Sequence, residues 1–169
     1  MARISRPTAR VHGPIEMVTI ARESPASPDL AQLFQRHTEA MFADTPPESI
    51  HMLDANALNV EDIAFFVMRE NGRPVGMGAF LRLDAEHAEI KSMHVLHEMR
   101  GRGLARLMLE HLIEAARARG HRRLSLETGS HPGFVSARRL YERAGFSECA
   151  PFGSYVTDPN SVFMTRLFE

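Results

Sequence analysis

The sequence predicts a single α+β (α/β) domain: a mixed, mostly antiparallel central sheet of six or seven strands, flanked by helices on both faces. Three observations carry that expectation. The 169 residues are 44% apolar and 24% charged, which suits one globular domain with a real core. Three strand-like segments run consecutively between residues 63 and 95, joined by turn signals. Helical periodicities precede and follow that meander, so helices must cover a sheet.

Residues 1–14 mix Arg3, Arg6 and Arg10 with Pro7 and Gly13 and hold few large apolar residues; we read them as a flexible basic tail, with one domain over 15–169. Residues 17–22 read as a strand. Ser27 and Pro28 mark a helix start, as N-cap and first helical residue. Leu30, Leu33, Phe34, His37, Ala40 and Met41 then recur at helical spacing, until Pro46 and Pro47 forbid continuation. Residues 48–60 are ambiguous between helix and loop. Strands at 63–69 and 75–83 flank Asn71-Gly72, a pair that adopts positive φ cheaply and so signals a hairpin. A third strand follows at 88–95. Residues 103–119 form an amphipathic helix with Leu104, Leu107, Met108, Leu112 and Ala115 along one side, stopped by Gly120. Strand 123–127, helix 135–144 stopped by Gly145, and strands 146–149 and 161–167 complete the order.

Composition excludes several classes. The 20 Lys+Arg balance 21 Asp+Glu, leaving a formal charge of −1. That near-neutral balance argues against a nucleic-acid footprint. Cys149 is the single cysteine, so no internal disulfide framework or multi-cysteine metal site is available. No apolar run approaches the roughly 20 residues of a membrane span, and no secretory signal pattern precedes the fold, so a cytoplasmic protein is expected. His94 and His97 have no third ligand in reach of the pattern, and no metal is expected.

The chemistry concentrates in Val95-Leu96-His97-Glu98-Met99-Arg100-Gly101-Arg102-Gly103-Leu104-Ala105, a strand, a turn with two glycines, and a helix. The first turn of a helix presents unpaired N–H groups and the positive end of the dipole, and glycines let that backbone approach an anion. The product is a phosphate cradle, with Arg100, Arg102 and Arg106 around it. The Walker loop requires Gly-Lys-Ser/Thr, which is absent here, and the dinucleotide fingerprint requires a third glycine where Arg106 stands.

Arg100-x-x-Gly103-x-Ala105 resembles the Gln/Arg-x-x-Gly-x-Gly/Ala signature of the GNAT superfamily of acyl-coenzyme A-dependent N-acetyltransferases. Ala137-x-x-Leu140-Tyr141-Glu142-x-x-Gly145-Phe146 is similar to that family's later Ala-x-x-Leu-Tyr-Glu-x-x-Gly-Phe segment. The likeness runs from about residue 17 to 167, and several loops resemble a bacterial subgroup. The resemblance implies an acyltransferase with a GNAT-type sheet, using acetyl-CoA as cosubstrate. It places the coenzyme A pyrophosphate on Arg100, Gly101, Arg102, Gly103, Leu104, Ala105 and Arg106, and the acetyl and pantetheine groups along Met93, His94 and Val95. Where the family often carries an Asn that contacts coenzyme A, this chain has Phe134, which implies a different loop geometry.

The reaction so implied is direct attack of an amine on the acetyl thioester in a ternary complex. An alkyl amine of pKa near ~10.4 arrives charged and needs a base. The resemblance assigns that role to Glu127, with Glu89 on the neighbouring strand as the second candidate, acting through water; Tyr141 is the acid that protonates the leaving sulfur. Arg122, Arg123, Arg138 and Arg139 are further candidates for the cofactor's 3′-phosphate. The acceptor, a primary amine of a small molecule or a peptide, is expected to lie against residues 45–60 and 151–160, which offer Glu48, His51, Asp54 and Asp158. Neither nucleic acid nor membrane is an expected partner, and the chain is read as a monomer or homodimer. The rival reading is a catalytically inactive acyl-CoA-binding sensor of the same fold.

Overall fold

The computed structural model describes residues 17–169, so the tail expected over 1–14 lies outside the described residues. Seven strands form one sheet in the order β1-β2-β3-β4-β5-β7-β6. They are β1 (Val18–Arg22), β2 (Ile63–Glu70), β3 (Arg73–Arg82), β4 (His87–Val95), β5 (Arg123–Gly129), β6 (Ser147–Glu148) and β7 (Ser161–Leu167). Every pairing is antiparallel except β4 with β5. The helices are α1 (Ala31–Asp44), the single turn α2 (Ala55–Leu58), α3 (Leu104–Ala118) and α4 (Val135–Arg143).

The β2–β3 hairpin closes through Asn71 and Gly72, both at positive φ (49° and 84°), the turn whose twist matches its strands. Successive β2 side chains reach opposite layers, as a pleated strand requires. Phe65 stacks on Phe34 of α1 at 5.9 Å, and Phe66 meets His111 of α3 edge-on at 4.8 Å. α1 and α3 therefore cover opposite faces. Leu30 and Leu33 on one side, and Met108, Leu109 and Leu112 on the other, are almost wholly buried against the sheet. Truncating any one to Ala removes contacts worth about 2–5 kcal/mol.

Two local expectations change. Ser27 caps nothing: its hydroxyl donates to Asp29 at 2.9 Å, and a 3₁₀ turn, Pro28–Leu30, leads into α1. Asp29 is held there by Arg69 at 2.7 Å, which also grips Glu23, so a tertiary ion pair sets the entry angle instead of a cap. The expected strand at 146–149 shortens to two residues on the sheet edge, and the ambiguous stretch 48–60 resolves into a 3₁₀ turn, Pro47–Ser49, and α2.

Candidate active site

The parallel pairing of β4 with β5 covers only His87↔Arg123, Ala88↔Leu124 and Glu89↔Ser125. Beyond Glu89 the strands part. β4 stays with β3 as far as Val95, and β5 stays with β7 as far as Gly129. The two inner edges, residues 90–95 and 126–129, thus face each other with ladder groups unused by the sheet. Such groups demand water or a ligand. A bulge in β4 bends it away: the register against β3 shifts between Met77 and Ala79, and Ser92 opposite has φ 54°. The bulge also turns both Lys91 and His94 toward the α1 face, although they are three residues apart. His94 meets His37 of α1 edge-on at 5.2 Å. Burial pushes both imidazoles down to about 4, so the pair is neutral. Ser92 Oγ and His94 Nε2 are buried on the open stretch of β4 without a hydrogen-bond partner among the described residues.

At the far end of β4 the chain turns through His97–Met99 into Gly101 and Gly103, both at φ 77°, and then α3. No side chain caps α3, and nothing stands within 4 Å of where a Cβ on either glycine would lie. The first-turn amides therefore open onto free space, the arrangement that binds an anion. Buried Met99 anchors the turn, and Glu98 ties it to Arg36 of α1 (3.1 Å) and Arg73 of β3 (3.4 Å). The expected arginines divide here. Arg100 is exposed at the loop, whereas Arg102 is drawn back to Glu70 of β2 at 2.5 Å and Arg106 pairs with Glu110 along the helix at 2.7 Å.

The apex of the split is polar. Glu89, only 3% exposed, accepts a hydrogen bond from the Tyr155 hydroxyl and lies 3.2 Å from Lys91 Nζ. Lys91 Nζ also donates to the Tyr155 oxygen (2.7 Å) and the His51 carbonyl (3.2 Å). Glu127 projects from β5 onto the same face, within the field of Glu89, Lys91 and His51. Burial raises its carboxyl above the usual range, against the pull of the neighbouring Ser161 hydroxyl, His51 and Lys91. Tyr141, 7% exposed on α4, is pushed up to about 12 by burial and by the Glu127 charge. It rests edge-on against Phe146 at 6.1 Å.

The loop after β5 departs from an open anion loop. His131 accepts from the Gly133 amide and Pro132–Phe134 form a 3₁₀ turn that seats the Phe134 ring on Gly129, where a Cβ would stand 2.3 Å from it. Arg138 donates to the Gly129 carbonyl (2.6 Å) and the His131 carbonyl (3.3 Å), so it braces this loop. Arg123 begins β5 and Arg122 directly precedes it, beside the start of β4 and at the opposite end of these strands from the glycine turn. Of the acidic residues expected near the acceptor, Asp54 caps α2 by accepting from the Ala57 amide. Asp158 is occupied by the Asn160 amide and, together with Ser49, joins the 45–60 and 151–160 segments.

Lys91 and Tyr155 were not legible as site residues from pattern alone, because nothing local marks a strand lysine or a loop tyrosine. One signal was available: Lys91 is the sole lysine among 20 Lys+Arg. Among the described residues no group of three or more His, Cys, Asp or Glu side chains converges as a metal site, and no helix is long and apolar enough to cross a membrane.

Comparison with known proteins places this geometry. The model of the acetyltransferase (GNAT) family matches residues 28–146. The chain is 45% identical over 137 residues to the uncharacterized N-acetyltransferase YsnE of Bacillus subtilis, covering 81% of this chain and 91% of that protein. It is 40% identical over 151 residues to the IAA acetyltransferase of Azospirillum brasilense, covering 88% and 97%. Among solved structures, a putative acyl-CoA N-acyltransferase from Klebsiella pneumoniae superposes with TM-score 0.74 at 28% identity, covering 90% of this chain and 99% of that one. A GNAT acetyltransferase of Elizabethkingia anophelis with acetyl-CoA bound shares the fold at TM-score 0.66 and 17% identity, covering 89% and 98%. The sheet that splits at Glu89, the uncapped glycine turn and these matches agree: the chain belongs to the GNAT family of N-acetyltransferases.

Proposed function

We propose that the protein transfers an acetyl group from acetyl-CoA to a primary amine, by direct attack within the β4–β5 split. The observation that carries this reading is the split itself. It opens beside an uncapped helix N-terminus at one end and carries Glu89, Glu127 and Tyr141 in one neighbourhood. The residues present fit the cosubstrate. The amides of Gly103, Leu104 and Ala105, with Arg100 beside them, would hold its pyrophosphate. The free edge of Met93, His94 and Val95 would pair with its extended arm as an added strand does, and an N–H there would polarise the thioester carbonyl. Arg102 and Arg106 contribute a background positive potential, since both guanidiniums are engaged by glutamates.

The chemistry balances on three groups. The amine loses a proton to Glu127, whose raised affinity for protons makes it a better base than an ordinary surface carboxylate. Glu89 receives protons through water as the alternative. The carbon–nitrogen bond forms as the carbon–sulfur bond breaks; Tyr141 gives its hydroxyl proton to the departing thiolate, and the surplus proton on the acylated nitrogen passes through water to the Tyr141 phenolate, which restores the acid. Burial keeps that hydroxyl protonated to about 12, so it is a donor throughout the physiological range. Phe134 covers Gly129 and offers the cofactor an apolar ring in place of an amide.

The test is thiol release from acetyl-CoA against a panel of small amines, amino-terminal peptides and the IAA specified by the Azospirillum relative's name. Turnover with an amine, lost in Glu127→Gln, is expected. Binding of acetyl-CoA without turnover of any acceptor would favour the sensor reading instead.

A further inference from the structure

The chain neutralises its surface with arginine, yet the cation inside the site is its only lysine. Lys91 carries a side chain just 12% exposed, and its ammonium meets three acceptors: Glu89 Oε1 at 3.2 Å, the Tyr155 oxygen at 2.7 Å and the His51 carbonyl at 3.2 Å. An ammonium has three donors, so the set is complete. A planar guanidinium, with five donors in a fixed fork, cannot satisfy the same three directions from the same Cα. The three acceptors come from three places: Glu89 from β4, His51 from the segment ahead of α2, and Tyr155 from the loop ahead of β7. Tyr155 is itself fixed, edge-on to His51 at 5.0 Å and to Phe152 at 5.2 Å, and against Phe163 at 5.3 Å.

We propose that Lys91 is a positioning residue of the acetyl-transfer site: its buried ammonium clamps Glu89, Tyr155 and the His51 segment into one unit and supplies the positive charge beside which Glu127 works as base. This rests on the acetyl-transfer reading and deepens it. Two carboxylates sharing one cleft, Glu89 buried and Glu127 half-buried, repel, and a cation beside them relieves that repulsion. Lys91 is that cation. Facing Glu127 are Glu89 and Lys91 from β4, His51 from the segment ahead of α2, Tyr155 from the loop before β7, and Tyr141 from α4. Behind Glu89 stands His87, bonded to Ser125 at 2.6 Å, and beyond His51 stands Asp158. The clamp also fixes where the acceptor enters, because it fastens both covering segments to the sheet at its apex.

The experiment reads Glu127 directly. In the full chain carrying ¹³C at the glutamate side-chain carboxyl carbon, Cδ, Glu127→Gln and Glu89→Gln assign the two resonances. Lys91→Met is expected to raise the Glu127 midpoint by at least one pH unit. With an acceptor from the panel, the acid limb of kcat/KM moves up equally, so the Lys91→Met deficit is at least tenfold below the Glu127 midpoint and narrows as pH rises past it. Lys91→Arg restores the charge without the geometry and recovers only part of that loss. Should Lys91→Met fail to fold, Lys91→Gln, which keeps a donor at the site without the charge, is read in its place and is expected to raise the Glu127 midpoint in the same way. A Glu127 midpoint unchanged in folded Lys91→Met or Lys91→Gln overturns the proposal. The two readings fail separately. Absence of acetyl-CoA binding by the wild type would sink acetyl transfer and leave the Glu127 titration standing, whereas an unmoved midpoint sinks the clamp even in an active enzyme.

Discussion

Gly103→Ala separates backbone strain from anion recognition. Gly103 adopts φ 77° at the start of α3, and a Cβ there would meet nothing within 4 Å. The folded protein thus has room for the methyl group, and the cost is that of placing an L-residue in the left-handed region, about 1–2 kcal/mol. For a chain of this length each kcal/mol lowers Tm by about 2–4 °C, so a fall of roughly 2–8 °C is expected. Gly72 supplies the control. It sits at φ 84° in the β2–β3 turn, also with nothing within 4 Å, and is no part of the first turn of α3. Gly72→Ala should cost the same. The variants diverge when coenzyme A is added. Ligand at 100 times Kd stabilises the wild type and Gly72→Ala by about 2.7 kcal/mol. In Gly103→Ala the methyl occupies the space an anion needs, and that stabilisation should fall at least tenfold in apparent affinity. A dye-based thermal shift, titrated with coenzyme A, reads both quantities, since the chain has no tryptophan. Equal coenzyme A stabilisation in all three proteins would refute the cradle. An unchanged Tm in both alanine variants without ligand would refute the strain argument.

Tyr141→Phe should lower kcat at least tenfold while leaving acetyl-CoA affinity near the wild-type value by calorimetry; unchanged turnover removes Tyr141 from the acid role. Because burial holds the Tyr141 hydroxyl protonated to about 12, the wild type should show no alkaline loss of activity from this group below about pH 10. Gly129→Ala drives a Cβ to 2.3 Å from the Phe134 ring and should cost about 1–3 kcal/mol by urea denaturation. Adding Phe134→Ala to it should recover part of that loss, and strict additivity of the two changes would show that they do not touch. His37 and His94 are held neutral to about 4 by burial, whereas the unfolded chain takes up protons below about 6.5. Stability should therefore be full above about pH 6.5 and decline as pH falls toward 4, by up to about 3 kcal/mol for each imidazole. His37→Leu should flatten that decline, and an identical pH dependence in the variant would contradict it.

Residue patterns alone determined a good deal of this protein. The Asn71-Gly72 hairpin, the stripe of α1 and the amphipathic α3 were readable because each obeys a period of two or 3.6 residues, or a φ that few residues tolerate. The glycine turn and the segment around Tyr141 were readable because their chemistry is carried by neighbours in the chain. Long-range geometry decided the rest. That β4 and β5 run parallel for three residues and then part depends on the bulge at Ser92 and on what β3 and β7 hold in register, which no local pattern encodes. The fate of the arginines was equally non-local. Arg102 goes to Glu70, Arg138 to backbone carbonyls, and Arg69 takes over the work expected of the Ser27 cap. A charged side chain settles on whichever opposite charge or open carbonyl the fold brings near, and that partner can be dozens of residues away. Lys91 is the sharpest case: its three acceptors lie 2, 40 and 64 positions distant, and only folding gathers them around one ammonium.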